Sequence, residues 1–522
     1  MITRRELLTA SAAGFAPAQS APPRPNILFV MVDEMRWDAM GCQGHPAVRT
    51  PTLDKLASEG VRFTNTYTVS PVCCPSRASF FSGRYAHVHG VTTNGYPANP
   101  GEVFLPSILR HHGYHTAIAG KLHFTPARFD YGFDQFWSFT SEGPTPELGY
   151  QEYLRKKHGS PAKWPSVPGT CPWPDDPLGR DVGKFKYPEE DFETDWITAR
   201  SIDYLRARKG NTQPWFLFTS YLKPHSPSVE PTPYFEMYDP AKVPVPKLPA
   251  NAHEVRMSKP ERRRRQFIDD ELMMRRMTAL YFGAISHIDT HLARLFAELE
   301  QLGMADNTIV IFTSDHGNML GDHGRWFKDV QYEGSAHVPL IWKGPKGAKE
   351  NGGHAVEPLI ETTDVMPTLL EAAGLPVPEG VQGKSFLALA RRSPQAARGW
   401  KNHVYSQLKG GSFIKDGYKL IDNSLDGTGA KELYHLKADP KEMTNLASDP
   451  AHAARLAKMM GELQKWRAVK PAPIKVSGMA TPAYAEVGAE EREDAKRNAP
   501  GGDDAAPNPR NQDVPARKRK KQ

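Results

Sequence analysis

Two acids, three histidines and a set of lysines occupy one kind of position in this chain, just past a short, strongly apolar run. NILFVMV ends at Asp33. HTAIAG is followed by Lys121 and, two residues on, His123; PWFLFTSYL by Lys223 and His225; TIVIFTS by Asp315 and His316. Carboxylates are hard ligands for a divalent cation, and lysines and histidines suit an anionic substrate. A further stretch, Cys73-Cys74-Pro75-Ser76-Arg77, adds a nucleophile at a helix start. Pro75 suits a first turn, and the free backbone amides there, together with Arg77, favour a negatively charged group. Taken singly, each residue has a plainer reading. An Asp after a strand usually caps a helix or shapes a turn, and a lone His or Lys is usually solvated. The chemical case therefore rests on convergence.

Convergence requires elements that bring these ends together. From residue 25 onward, apolar runs of strand length alternate with helical patterns, which predicts an α/β fold with a large mixed, mainly parallel sheet flanked by helices. The carboxyl ends of such strands line the ligand crevice. PTLDKLASEGVRF (51–63) reads as a helix running into a strand, and residues 271–302 carry apolar residues at helical spacing. The stretch from about 130 to 190 is rich in Trp, Pro and Gly without a clean period, and is expected to be a loop insertion that selects substrate. ETTDVMPTLLEAAG opens as a helix and leads into a Pro- and Gly-rich exit, placing the main domain at 25–395. NHVYSQL, GSFIKDGYKLID and KELYHL read as antiparallel strands of a smaller α+β domain at 396–470, covered by a helix at 450–468. The composition of 475–522 predicts a disordered tail.

The chain has 522 residues, 39% apolar and 24% charged, an ordinary soluble composition. Its net charge of +7 is concentrated in the last six residues, RKRKKQ, and the body is close to neutral. With no zinc-finger spacing, RNP-like pattern or Walker loop, no nucleic-acid partner is expected. Residues 1–21 combine Arg4 and Arg5, a short apolar run and an A-x-A site at Ala16–Ala18, an export signal of the twin-arginine type. No later run is long enough to span a membrane, so a periplasmic location is expected. In that oxidising space Cys42, Cys74 and Cys171 could supply one disulfide, the pair being open.

Cys73-Cys74-Pro75-Ser76-Arg77 followed by Phe81-Ser82-Gly83-Arg84 resembles the C-x-P-S-R-x-x-x-[LF]-[TS]-G-R signature of the type I, formylglycine-dependent sulfatases of the alkaline phosphatase-like superfamily. The similarity covers roughly residues 25–465 and includes GKLH, KPHSP, SDHGNMLGDHG and YEGSAHVPLI. The resemblance implies a sulfuric ester hydrolase of arylsulfatase type whose Cys73 is converted to Cα-formylglycine by a formylglycine-generating enzyme. It also implies one calcium ion on Asp33, Asp315, His316 and residue 73, with Glu34, at a position that is Asp in many relatives, as a further candidate ligand. Asp315 is the implied acceptor of the attacking hydroxyl's proton. Lys121 and Lys328 would bind sulfate oxygens, His123 would deprotonate the second hydroxyl, and His225 would act on the leaving oxygen. Arg77 would steady the hydrate, and Asn94 matches a polar substrate contact. His337, at a place often held by Arg, is expected to be structural.

Export and the aromatic-rich insertion suit a sulfated carbohydrate. Two alternatives remain: a phosphonate monoester or phosphodiester hydrolase of the same superfamily, and an inactive exported glycan-binding protein. Lys121 and His123 favour sulfate over phosphonate, and the complete set of ionisable residues opposes an inactive scaffold.

Overall fold

The computed structural model describes residues 24–139, 143–159, 169–170, 182–249, 270–408, 410–423 and 429–487. In chain order its strands are β1 (Asn26–Asp33), β2 (Val61–Tyr67), β3 (His115–Gly120), β4 (Gln135–Ser138), β5 (Gly169–Thr170), β6 (Val182–Phe185), β7 (Trp215–Pro224) and β8 (Ser228–Glu230). They continue as β9 (Thr308–Ser314), β10 (His337–Lys343), β11 (His354–Val356), β12 (Ile360–Glu361), β13 (His403–Ser406), β14 (Gly411–Lys415), β15 (Tyr418–Asp422) and β16 (Lys431–His435).

Nine of these form one mixed, mainly parallel sheet in the order β11-β2-β10-β9-β1-β7-β3-β4, with β12 pairing β2. Strands β9, β1, β7 and β3 are consecutive neighbours and run parallel. The four apolar runs singled out in the sequence are therefore four adjacent strands whose carboxyl ends share one edge. Each is buried on both faces, which is why it reads as a continuous apolar run rather than an alternating one.

The period of two still sorts the side chains. Leu28, Val30 and Val32 join one core with the helices Glu193–Ala207 and Glu271–Gln301. Ile27, Phe29 and Met31 join the other with the helix Cys73–Ser82, whose Phe80 and Phe81 rings lie 6.0 and 5.9 Å from Phe29. Cys74 belongs to this second core and Cys42 packs against the first, on opposite faces of the sheet. Both are free thiols, so the anticipated disulfide does not join them; Cys171 lies outside the described residues.

The described residues within 130–190 include regular elements that a loop insertion would lack. They contribute edge strand β4, paired with β3, and the helix Tyr150–His158, anchored by buried Tyr150 and Leu154. Both elements are too short to show a period beside so many Pro and Gly residues. Strands β5, β6 and β8 form a separate small sheet.

Strands β13–β16 form an antiparallel sheet with the helix Ala453–Ala468 packed on it through Met459, Leu463 and Trp466. Lys419 on β15 is fully buried between Glu333, 2.9 Å away, and Glu442, 2.8 Å away, so an ion-pair network joins this sheet to the chain after β9.

Residues 475–487, expected to belong to a disordered tail, are instead packed on the protein. Ile474, Tyr484, Ala485 and Val487 are buried against the larger domain, and the Tyr484 ring stacks on Phe104 with centroids 5.5 Å apart. A few apolar side chains in a polar, Pro-rich segment suffice because the groove they fill is already built. The export-type segment 1–21 and residues 488–522 lie outside the described residues. Among the described residues no helix is long and apolar enough to cross a membrane.

Candidate active site

Cys73 opens the helix Cys73–Ser82, where Pro75 sits in the first turn and every residue is buried. Val72, in extended conformation, gives this helix no side-chain cap. Asn94 reaches across instead, its Oδ1 accepting the Cys74 N–H at 2.9 Å. Asn94, expected to face substrate, is seen here anchoring the helix start.

Four charged or ligating groups surround Cys73 Sγ. His316 Nε2 is 3.2 Å away, Lys328 Nζ 3.5 Å, Lys121 Nζ 3.6 Å and Asp33 Oδ1 3.7 Å. The Arg77 guanidinium lies behind them. Its Nε donates to Asp315 Oδ2 at 2.8 Å, Nη2 lies 3.2 Å from Asp33 Oδ2, and Nη1 donates to the Lys121 carbonyl and Ser220 Oγ. Arg77 is completely buried, so it positions the carboxylates rather than facing solvent.

Ligand atoms of Asp33, Cys73, Asp315 and His316 all lie within 4.8 Å of one another. This donor set fits a divalent cation. Cationic side chains occupy Oδ2 of both carboxylates, and each Oδ1 lies 3.6 Å from His316 Nε2. His316 Nδ1 lies 3.0 Å from the Gly317 carbonyl; as a donor there it leaves the Nε2 lone pair toward the group, the usual arrangement of a ligating imidazole. Burial is the largest influence and would lower the His316 pKa, but Asp315 and Cys73 together outweigh it and hold it at about 10, so the pocket favours positive charge at this spot. Burial likewise opposes ionisation of Asp33, but Lys121, His225, Arg77 and Lys328 keep it well below the usual carboxylate range. Lys121 is raised against its own burial by Asp33, 2.5 Å away.

Glu34, the further candidate ligand, has a carboxylate oxygen within 4.8 Å of ligand atoms of Asp33 and His225, a second possible metal-holding group that shares Asp33 with the first. Its backbone is left-handed, at φ 74°, and Asn318 Nδ2 donates to its Oε1 at 2.8 Å. Oε2 lies 3.4 Å from Lys328 Nζ and 3.6 Å from His225 Nε2. Burial raises the Glu34 carboxyl to about 8 although Lys328 pulls it down. The residue therefore stands with His225 and Lys328 at the rim of the cation group. Burial, followed by Lys328, keeps His225 well below its ordinary pKa, and its Nδ1 is 2.6 Å from the Ser226 carbonyl.

His123, in left-handed backbone at φ 63°, lines a small cavity with Cys74, Ala78, Tyr96 and Phe104. Lys223 points away from this centre: its Nζ bonds the Pro227 carbonyl and lies 3.9 Å from Glu193. His337 stacks between Trp37 and Tyr67 at 4.4 and 4.5 Å and bonds Glu333 and the Thr64 carbonyl, a packing role. Asn318 and Ser220 are missing from the sequence reading. Asn318 carries a faint signal, three residues past Asp315 in the same polar turn; Ser220, inside an apolar strand, carries none.

A cation-ready carboxylate group, a nucleophile at a helix start and two buried ammonium groups, all at one edge of this sheet, define an ester hydrolase for anionic substrates with the alkaline phosphatase-like fold. Residues 25–375 match the family model described as sulfatase, and residues 321–469 match that of the N-sulphoglucosamine sulphohydrolase C-terminal region. The chain belongs to the sulfatase family and is a sulfatase-type hydrolase. It is 33% identical over 462 residues to an arylsulfatase of Clostridium perfringens, covering 83% of this chain and 92% of the relative. An N-acetylglucosamine-6-O-sulfatase of Bacteroides thetaiotaomicron is 25% identical over 521 residues, covering 86% and 87%. The phosphonate monoester hydrolase of Silicibacter pomeroyi superposes with a TM-score of 0.72 at 27% identity, over 85% of this chain and 95% of that one.

Proposed function

We propose that the protein is an exported, periplasmic sulfuric ester hydrolase that releases inorganic sulfate from a sulfated saccharide. Its nucleophile is residue 73 as Cα-formylglycine, installed by a formylglycine-generating enzyme, and it works with one calcium ion on Asp33, Asp315, His316 and residue 73. The observation that carries this reading is the ring of Asp33, Lys121, His316 and Lys328 around Cys73 Sγ.

As its hydrate, the modified residue offers one hydroxyl to attack sulfur and a second through which sulfate is afterwards expelled, which a serine or cysteine lacks. A calcium ion held by Asp33, Asp315, His316 and residue 73 would acidify the attacking hydroxyl and screen the ester's charge. The side chains supply the rest. Lys121 and Lys328 flank the reacting atom and hold two sulfate oxygens. Asp315 accepts the proton of the attacking hydroxyl, and His123 that of the second. Arg77 keeps Asp33 and Asp315 in place behind the nucleophile. His225 and Glu34, 3.6 Å apart, hold a proton beside the leaving oxygen. The saccharide assignment draws on the glucosamine sulfatase relative and on the aromatic residues between 130 and 190.

A second reading, a phosphonate monoester hydrolase, is favoured by the TM-score of 0.72 to the Silicibacter enzyme. The retained Lys121 and His123 weigh toward sulfate. Formylglycine-bearing protein should hydrolyse aryl sulfates faster than aryl phosphonate monoesters; the reverse order sinks the sulfatase reading. An inactive glycan-binding protein requires an unmodified thiol at Cys73, and mass spectrometry of that peptide from the native host decides it.

A further inference from the structure

A second cluster of ligating groups lies on residues that the site above does not use. His287 and His291 are one turn apart on the helix Glu271–Gln301, both buried, with their Nε2 atoms 3.1 Å from each other. Glu189, in the turn before the helix Glu193–Ala207, brings Oε1 to 3.7 Å from His287 Nε2 and 3.9 Å from His291 Nε2. We propose that His287 Nε2, His291 Nε2 and the Glu189 carboxylate form a second metal site that takes a zinc ion in tetrahedral coordination, with water in the fourth position.

The spacing supports this. Zinc bonds imidazole nitrogen at about 2.0–2.1 Å, so the corners of a tetrahedron around it lie roughly 3.4 Å apart. The three observed separations bracket that value. Two nitrogens and one carboxylate oxygen are a recurrent zinc donor set, and it leaves one position open. The Glu189 side chain is 41% exposed, so that position can face solvent.

The surroundings are those of a ligand rather than of a filler side chain. His287 Nδ1 lies 3.0 Å from Glu230 Oε2 on β8, the carboxylate-histidine pairing that orients a ligating imidazole. The ring is clamped between Tyr234 and Phe192, with centroids 4.1 and 5.4 Å away. His291 Nδ1 accepts from Arg294 Nη1 at 3.2 Å, and the same Nη1 bonds Asp195 Oδ1; for Nε2 to take the ion, the ring proton moves to Nδ1 and Arg294 withdraws from it toward Asp195. The ion would join the Glu189 turn, the long helix and, through Glu230, the strand that follows the His225 loop. Without it, the same atoms make a hydrogen-bonded chain from Arg294 to Glu230, and the experiment separates the two states.

Full-length protein carrying Cys73→Ser and Asp33→Asn loses two donors of the first centre, so its ions report on the second. After chelator treatment it is loaded with Zn2+ or Co2+ and desalted. We expect one ion per chain by elemental analysis and, with Co2+, the strong visible absorption of four-coordinate cobalt. Adding Glu189→Ala should weaken cobalt binding about tenfold or more, and adding His291→Ala should abolish it. Glu189 is partly exposed, so the first of these reports on binding without disturbing the core. The proposal is overturned if the background protein retains no ion, or if Glu189→Ala leaves both stoichiometry and absorption unchanged.

Discussion

Arg77 Nε donates to Asp315 Oδ2 at 2.8 Å, and neither side chain has any exposure to solvent. The other nitrogens of that guanidinium bond Asp33, the Lys121 carbonyl and Ser220. One side chain therefore ties together β1, β3, β7 and the turn after β9, the four neighbouring strands whose ends form the site. A lysine ammonium lacks the planar fork that serves these partners together. Arg77→Lys should lower both cation retention and ester hydrolysis by at least about 100-fold. Arg77→Met removes the guanidinium shared by the two buried carboxylates, with Asp33 keeping Lys121, and should cost about 3–5 kcal/mol in denaturant unfolding. A stable, metal-replete Arg77→Lys enzyme would remove the positioning role.

Much of this arrangement is legible in the sequence, for a physical reason. Asp33, Lys121, His225 and Asp315 each follow a run apolar enough to be buried on both faces, and such strands are parallel and present their carboxyl ends together. What the sequence hides is orientation. Lys223 ends the same kind of run as the others, yet its ammonium points to Pro227 and Glu193. Asn94 lies 20 residues from Cys74 and reveals itself as its cap only after folding. The buried start of the tail is masked because Tyr484 is surrounded by Ala, Pro and Glu, and composition averages one anchor away.

The cation group predicts metal dependence. Prolonged dialysis of formylglycine-bearing protein against a chelator should abolish hydrolysis, and Ca2+ should restore it. Asp315→Asn keeps the size of the side chain but removes a negative ligand, and should cut activity by about three powers of ten, with Ca2+ retention falling in parallel. Full turnover in chelator-treated protein would exclude the calcium assignment.

Lys328 and His225 should separate by leaving group. Lys328→Ala removes a charge from the sulfate side and should cost about two to four powers of ten on every sulfate ester. His225→Ala should cost as much on alkyl or sugar sulfates, whose leaving oxygen needs a proton, and much less on 4-nitrophenyl sulfate. Equal losses on both substrate types would take His225 away from the leaving oxygen.

The packed segment after the small domain should be a measurable part of the fold. The Tyr484 hydroxyl bonds the Phe104 N–H at 3.1 Å and Ser107 Oγ at 2.9 Å, and its ring also lies 4.8 Å from Tyr131. Tyr484→Ala should lower unfolding stability by about 3–5 kcal/mol, the range for truncating a buried aromatic residue. A loss within 0.5 kcal/mol or so, the range of ordinary surface changes, would mean that the segment contributes nothing.

The pH dependence of stability should carry the mark of Glu102. Its Oε1 lies 3.3 Å from Arg84 Nε, and the side chain is 2% exposed. Burial raises the carboxyl to about 7, although Arg84 opposes the shift. In the unfolded chain the same group titrates near its ordinary value of 4.5, so between these two limits the folded state binds the extra proton. The contribution of Glu102 is fully present below pH 4.5 and is lost as pH rises through about 7. Glu102→Gln has the same shape and does not titrate. The stability of the native protein relative to this variant should therefore fall by about 3 kcal/mol between pH 4.5 and 8, as paired denaturant titrations would show. A difference that stays constant across that range would mean that Glu102 is ionised throughout, with Arg84 outweighing its burial.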